Sequence, residues 1–250
     1  MRTRRARIIA GTFVGILMAG TVQAAPLTNF DTYRGTIDFG VWNTKASFDT
    51  AVSHYSFDAK SSIYGGITYG FDDRWGIQYS YHGINTAEKF VYSRRIDGII
   101  FDYKAKIKGS TNEFNVLYSP GEKSRTMFFV GVNKVNINIP VTGSRHDTGE
   151  AISVNDNDGS VKVFQIGAAA TAPLGKSVDG YFVGSVGGHN LLQAEVGITG
   201  RINDNLQANL GYRWLKVNDI DIKSAGNINT KTDIKTNGLT FGLTYLFGPK

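Results

Sequence analysis

The sequence predicts an all-β protein, an antiparallel up-and-down transmembrane β-barrel. Apolar and polar residues alternate along about ten segments, which is the period of an extended strand. The segments run to roughly 10–13 residues, whereas a tilted strand needs about 9–11 to cross a bilayer and soluble strands usually have about 5–6. The connections between them are alternately short and long, which is typical of a barrel that spans a membrane.

Residues 1–24 have the pattern of a secretory signal peptide. Four arginines precede an apolar stretch over residues 8–20, which is too short to span a membrane, and a cleavage site follows between Ala24 and Ala25. Because the signal carries four of the 27 basic residues, the mature chain has 23 against 21 acidic ones, and its charge gives no argument for a nucleic-acid partner. The absence of Cys excludes a disulfide scaffold and a thiol nucleophile.

Residues 25–250 are predicted to form a single barrel domain. Three of the segments alternate less cleanly, so ten strands are favoured and an eight-stranded barrel is the alternative. The clean segments lie at about 33–41, 62–71, 75–82, 113–119, 192–202, 206–214 and 238–247, and the weaker ones at about 125–135, 161–172 and 180–189.

The long connections are polar and the short ones are tight turns. Outer-membrane barrels have short periplasmic turns and long extracellular loops. We therefore predict extracellular loops at about 44–60, 85–108, 136–160 and 218–234. Tyr, Phe and Trp residues cluster near both ends of the predicted strands, as the interfaces of a membrane favour.

The last strand carries the most specific pattern. Thr240, Gly242, Tyr245 and Phe247 stand at the spacing polar, glycine, aromatic, aromatic. This resembles the C-terminal insertion signal of bacterial outer-membrane β-barrels, although residues 248–250 follow the final aromatic. The whole mature chain resembles small monomeric barrels of the opacity-protein, outer-membrane-protein-X and OmpA-like kind. That resemblance implies a Gram-negative outer-membrane location among lipopolysaccharide and phospholipid, with the barrel-assembly machinery and periplasmic chaperones as partners during biogenesis.

Charged residues on the polar face of the strands are predicted to point into the lumen. Charges in a confined interior are costly unless they are paired and hydrogen-bonded. Equal numbers of each sign therefore predict a self-compensating network that fills the lumen, with glutamines and asparagines satisfying the remaining groups. The predicted charges are Arg34, Asp38, Glu113, Glu195, Arg201 and Arg213, and the amides are Gln78, Asn115, Gln193, Gln207 and Asn209.

Three functions fit this architecture. The favoured one is structural or adhesin-like, with the long loops meeting a host or surface ligand. The second is a small porin-like channel for ions or small solutes, and the third is an enzyme acting on lipid or peptide at the extracellular rim.

We expect no enzymatic activity, no cofactor and no metal. The pair Asp219 and Asp221 lacks the nearby Asp-x-His element of omptin-type proteases, and Ser80 with His82 lacks the pattern that surrounds a lipid A deacylase site. The acidic run at residues 155–159 lacks the Glu that closes a calcium loop.

Overall fold

The computed structural model describes residues 26–28, 30, 33–50, 53–121, 124–153, 157–223 and 229–248. The predicted signal peptide (1–24) and its cleavage site between Ala24 and Ala25 lie outside them. Within the described ranges there is no helix with the length and hydrophobicity needed to span a bilayer.

The described residues form fourteen strands. In chain order these are β1 (Gly35–Asp49), β2 (His54–Gly70), β3 (Trp75–Asn85), β4 (Lys89–Ile96), β5 (Ile99–Ala105), β6 (Lys108–Tyr118), β7 (Thr126–Ile139), β8 (Val141–Arg145), β9 (Ala151–Ser153), β10 (Asn157–Pro173), β11 (Val178–Gly187), β12 (Leu191–Arg201), β13 (Leu206–Lys223) and β14 (Asn229–Phe247).

Ten of these strands close into one antiparallel barrel, which confirms the predicted fold and the favoured strand number. The order around the barrel is β1-β14-β13-β12-β11-β10-β7-β6-β3-β2. The other four strands form a separate sheet in the order β4-β5-β8-β9. We call the barrel end that carries the short turns the lower end and the opposite one the upper end.

The lower part of the wall is apolar outside, and most of its inner side chains are polar. Ile37 and Phe39 on β1 are 45% and 52% exposed, and Phe164 on β10 is 62% exposed. Thr36 and Asp38, which alternate with Ile37 and Phe39 along β1, point into the lumen because successive side chains of a strand point to opposite faces. A closed barrel satisfies every backbone group within the sheet, so this surface is suited to lipid.

Pairing of the first and last strands closes the barrel. The register of β1 with β14 runs from Gly35 opposite Phe247 to Asp49 opposite Asp233. Within β14, Tyr245 is exposed on the outer face, whereas Thr240 and Gly242 are buried. Gly242 leaves room for the Tyr64 hydroxyl, which would lie 2.0 Å from a Cβ at that position. The four residues of the predicted insertion signal therefore lie on the seam of the barrel.

The strands extend well beyond the segments that the alternation delimits. Regions 44–60 and 218–234, predicted as loops, are for the most part the upper ends of β1, β2, β13 and β14. Regions 85–108 and 136–160 contain the four strands of the separate sheet. The apolar residues move from the outer face of the strand to its inner face in these regions. The lipid-facing alternation therefore ends there, and strand residues are predicted as loops. In β7, Phe128 and Val132 face outward, but Val135 and Ile137 are buried inside.

The barrel narrows at its upper end. The β11–β12 hairpin is short, and above it β10 pairs directly with β13, with Asp158 opposite Lys223 and Gly159 opposite Ile222. Eight strands then surround the axis, and the interior of an eight-stranded barrel is just wide enough for side chains to fill.

Candidate functional site

A buried ion-pair network occupies the middle of the lumen. The Arg213 side chain is 5% exposed. Its Nη2 donates to Glu113 Oε1 at 2.6 Å, and its Nη1 donates to Glu195 Oε2 at 3.3 Å. One guanidinium thus holds two carboxylates from different sides of the barrel, and charge-assisted hydrogen bonds of this kind are the strong ones.

Amide side chains complete the network. Gln193 Nε2 donates to both oxygens of Glu113 at 3.2 Å. Gln165 Nε2 donates to Asn115 Oδ1 at 2.9 Å, and Asn115 Nδ2 donates to Gln78 Oε1 at 3.2 Å. Gln165 Nε2 also lies 3.4 Å from Glu113 Oε2, so hydrogen bonds run from Gln193 through Glu113, Gln165 and Asn115 to Gln78, although the Oε1 of Gln193 has no partner among the described residues.

The other predicted lumen charges lie apart from this centre. Asp38 points inward but accepts hydrogen bonds from the hydroxyls of Thr36 and Thr244. Arg34 lies just before β1 at the lower rim, where its backbone N–H bonds to the carbonyl of Phe247. Arg201 ends β12 at the same end. Three of the six predicted charges therefore meet directly in one cluster.

Several aromatic residues of the network were missed in the sequence. The Tyr181 hydroxyl donates to Glu195 Oε1 at 2.8 Å. The Arg213 guanidinium lies 5.8 Å from the ring centroid of Trp42, and His82 stacks on Tyr64 with 5.4 Å between centroids. All four aromatic side chains point inward among polar neighbours. Their place on the polar face of the alternating strands was the signal by which the sequence could have identified them.

An apolar layer lies in the barrel above the network. It fills the narrowed part of the barrel, and Leu215, Val217 and Ile220 of β13 and Ile234 of β14 are fully buried in it. Further members are Trp42, Ala46, Phe57, Ile84, Ala105, Ile107, Val135, Ile137, Ile139, Val163, Leu191 and Ile222.

A second apolar layer lies below the network. Phe30, which precedes β1, is fully buried with Leu117, Met127, Phe129 and Ala169. Its ring lies against Gly70 and Gly76, where a Cβ would approach it to 2.4 and 2.6 Å. Only glycine at these two positions leaves space for the ring.

Between the two layers lies a polar cavity of about 130 Å³. It is lined by Asp38, His82, Glu113, Glu195 and Arg213, among others. A polar space of this size holds several water molecules. No group of three or more His, Asp or Glu that could hold a metal ion was found in the part of the chain that the structure describes.

The separate sheet projects beyond the upper end of the barrel. The β4–β5 hairpin turns at Asp97 and Gly98, both with positive φ, as a two-residue hairpin turn requires. On one face, Tyr92 stacks on Tyr103 at 4.7 Å between centroids, and Arg94 lies opposite Phe101. Tyr92 is 46% exposed, so an aromatic surface stays open to solvent.

An exposed ion pair links the hairpin to β8. His146 Nδ1 lies 2.7 Å from Asp102 Oδ2, and Asp102 also accepts the Ser93 hydroxyl at 2.6 Å. Hydrogen bonding to Asp102 raises the pKa of His146 above its ordinary 6.5. Hydrogen bonds from Ser93 and then from His146 lower the pKa of Asp102.

Comparison with known proteins gives structural likenesses only. No protein-family model matches the chain, and no curated protein sequence matches it. The chain is similar to Ail, the attachment invasion locus protein of Yersinia pestis, in complex with the heparin analogue sucrose octasulfate (TM-score 0.41, 9% identity, 86% of this chain and 99% of that one). It is also similar to Neisserial surface protein A (TM-score 0.35, 11% identity, 85% of this chain and 97% of that one). A third similar structure is the Escherichia coli outer-membrane protease OmpT (TM-score 0.35, 11% identity, 90% of this chain and 99% of that one).

At these TM-scores the likenesses carry no argument about what this chain does. Its class follows from its own features, namely a closed ten-stranded antiparallel sheet, an apolar outer wall and a polar lumen. The protein is an integral β-barrel of the bacterial outer membrane.

Proposed function

We propose that the protein binds a ligand at the cell surface through the sheet β4-β5-β8-β9, and that its lumen stays closed to solutes. The observation that carries this proposal is the stacking of two apolar layers above and below a hydrogen-bonded charge network. A channel needs a continuous water-filled path, and buried apolar side chains above and below the network oppose such a path.

The orientation is part of the proposal. Short turns face the periplasm in barrels of this class, which puts the upper end outside the cell. Protease added to intact cells should then cut within the connections of the upper end, such as residues 146–150. Cuts confined to the lower-end turn at residues 174–177 would reverse the orientation.

The chemistry of the sheet favours an anionic partner. The β4–β5 hairpin, residues 89–105, contains four Lys and Arg against two Asp. The basic residues lie among exposed aromatic and aliphatic side chains, and aromatic residues with arginine are enriched at binding interfaces. Nothing in this arrangement calls for a catalytic step, and we propose a binding protein and no enzyme.

Binding can be tested with a generic polyanion. Cells that display the protein should bind dextran sulfate beads and leave uncharged dextran beads unbound. Arg94→Ser with Arg95→Ser should lower this binding strongly, and Lys176→Ser at the lower end should not change it. Equal binding by all three proteins would refute the assignment of the surface.

The second candidate is a small channel, favoured by the polar cavity of about 130 Å³. Planar-bilayer recording of the refolded protein separates the two functions. We expect no steady conductance from the wild type. Stable steps would refute the closed lumen and support the channel.

A further inference from the structure

Three rows of outward side chains cross β6, β7 and β10 where the outer wall changes from apolar to polar. The last apolar row is Phe114, Val132 and Phe164. The next row toward the upper end is Asn112, Lys134 and Lys162, and the one after it is Ser110, Asn136 and Ser160. Two lysines therefore stand directly opposite each other, one row above the lipid-facing surface.

This lysine pair is electrostatically unfavourable by itself. Directly opposed residues have Cβ atoms about 5 Å apart, and like charges in that arrangement destabilise a sheet. Among the described residues, no carboxylate forms an ion pair with Lys134 or Lys162. Their immediate polar neighbour Asn112 is held by the Tyr79 hydroxyl, which donates to its Oδ1 at 3.0 Å.

A second opposed pair, Lys216 and Lys235, shows the contrast. Lys235 Nζ lies 2.8 Å from Asp49 Oδ2, and this carboxylate raises the pKa of Lys235. The chain itself supplies the counter-charge there. At Lys134 and Lys162 the counter-charge must come from elsewhere.

A polar groove of about 570 Å³ lies directly above the lysine pair. Its outward lining is Asn136, Asn138, Asp158, Ser160, Asp221 and Lys223, which places two carboxylates and one ammonium beside amide and hydroxyl groups. Asn138 Nδ2 donates to Asp158 Oδ1 at 2.6 Å, which fixes both side chains. Groups of this kind match the hydroxyls of a sugar.

We propose that Lys134 and Lys162 bind the phosphate of an outer-leaflet phosphoglycolipid, the chemistry of lipopolysaccharide, with its sugars in the groove above. The acyl chains would lie on the apolar row of Phe114, Val132 and Phe164. This position favours a lipid over a soluble anion, since basic side chains at the membrane surface attract lipid headgroups while the apolar row holds the tails.

The test is lipid binding by the refolded full-length barrel in zwitterionic detergent. Phosphorylated lipid A is titrated, and the rise in Tm gives an apparent Kd. Lys134→Gln with Lys162→Gln should weaken binding about thirty-fold, the effect of two lysines near a charged headgroup. The control Lys216→Gln with Lys231→Gln removes the same charge elsewhere at the upper end and should change binding much less.

Three results would overturn the proposal. Equal weakening in the two double variants would mean diffuse attraction only. Equal binding of dephosphorylated lipid A would exclude a phosphate site, and the same Tm rise with inorganic phosphate would exclude a lipid one.

A single variant gives an independent readout that does not depend on lost stability. Lys134→Glu turns the opposed pair into an ion pair, so without lipid it should raise Tm by about 1–3 °C while abolishing lipid A binding. A drop in Tm without lipid would contradict the repulsion between the two lysines.

Discussion

Arg213 is the side chain whose removal should destabilise the barrel most. It is the cation shared by Glu113 and Glu195, at 2.6 and 3.3 Å. Arg213→Met keeps much of the volume and the contact with Trp42 but leaves both carboxylates without their counter-charge.

The expected loss is about 3–5 kcal/mol in the free energy of unfolding, because breaking a buried pair leaves an uncompensated charge. The measurement is urea unfolding in lipid vesicles, followed by tryptophan fluorescence. Arg125→Met is the matched control. Arg125 lies 3.7 Å from Asp179; its own side chain is 53% exposed and that of Asp179 is 9% exposed, so water reaches this guanidinium and its loss should cost clearly less than the loss of Arg213.

A triple variant separates charge from packing. Adding Glu113→Gln and Glu195→Gln to Arg213→Met removes the unpaired charges and should restore most of the lost stability, since a buried ion pair can be replaced by neutral groups at little cost. If Arg213→Met costs no more than Arg125→Met, or if the triple variant is less stable than the single one, the network does not hold the lumen together as argued.

Three further predictions concern assembly, pH dependence and the upper apolar layer. Tyr245→Ala with Phe247→Ala should leave protein in the periplasm, and fractionation with normal outer-membrane yield would reject the insertion-signal interpretation. The bond between His146 and Asp102 should stabilise the sheet fully between the ordinary Asp pKa of 3.8 and the ordinary His pKa of 6.5; this stability is lost as pH falls through the lowered pKa of Asp102 or rises through the raised pKa of His146. An NMR titration should show the pKa of His146 falling toward its ordinary value in Asp102→Asn, and an unchanged pKa would contradict the pairing. Leu215→Ala should cost about 2–5 kcal/mol in urea unfolding because it opens a cavity in a fully buried layer, and a loss below about 1 kcal/mol would contradict that packing.

The alternation along the strands also marks where the wall leaves the membrane, and the loop predictions did not use this signal. In β7 the apolar residues run Phe128, Val130, Val132 and then Val135, Ile137, a change from even to odd positions without a bulge. Such a change marks the point where lipid outside the wall gives way to water and the apolar side must turn inward. If the change is taken only as the end of the lipid-facing alternation, the strand residues beyond it are mistaken for a loop.

The candidate lumen residues could be predicted individually, but their partners could not. Alternation places Glu113, Glu195 and Arg213 on the inner face of their strands. Glu113 and Arg213 are 100 residues apart, and they meet across the lumen because of the curvature and stagger of the closed sheet. Counting charges by sign did not show that Asp38 would be satisfied by threonine hydroxyls instead of an arginine.

The sequence by itself determined the barrel fold, favoured ten strands and assigned the faces of the side chains that cross the membrane, because these depend on a period of two residues and on the length of membrane to be crossed. Only the tertiary structure decided that the barrel narrows above the β11–β12 hairpin, that apolar layers lie above and below the charge network, and that Lys134 faces Lys162. Those features depend on strand register and curvature, which place residues distant in sequence side by side, and no local pattern encodes them.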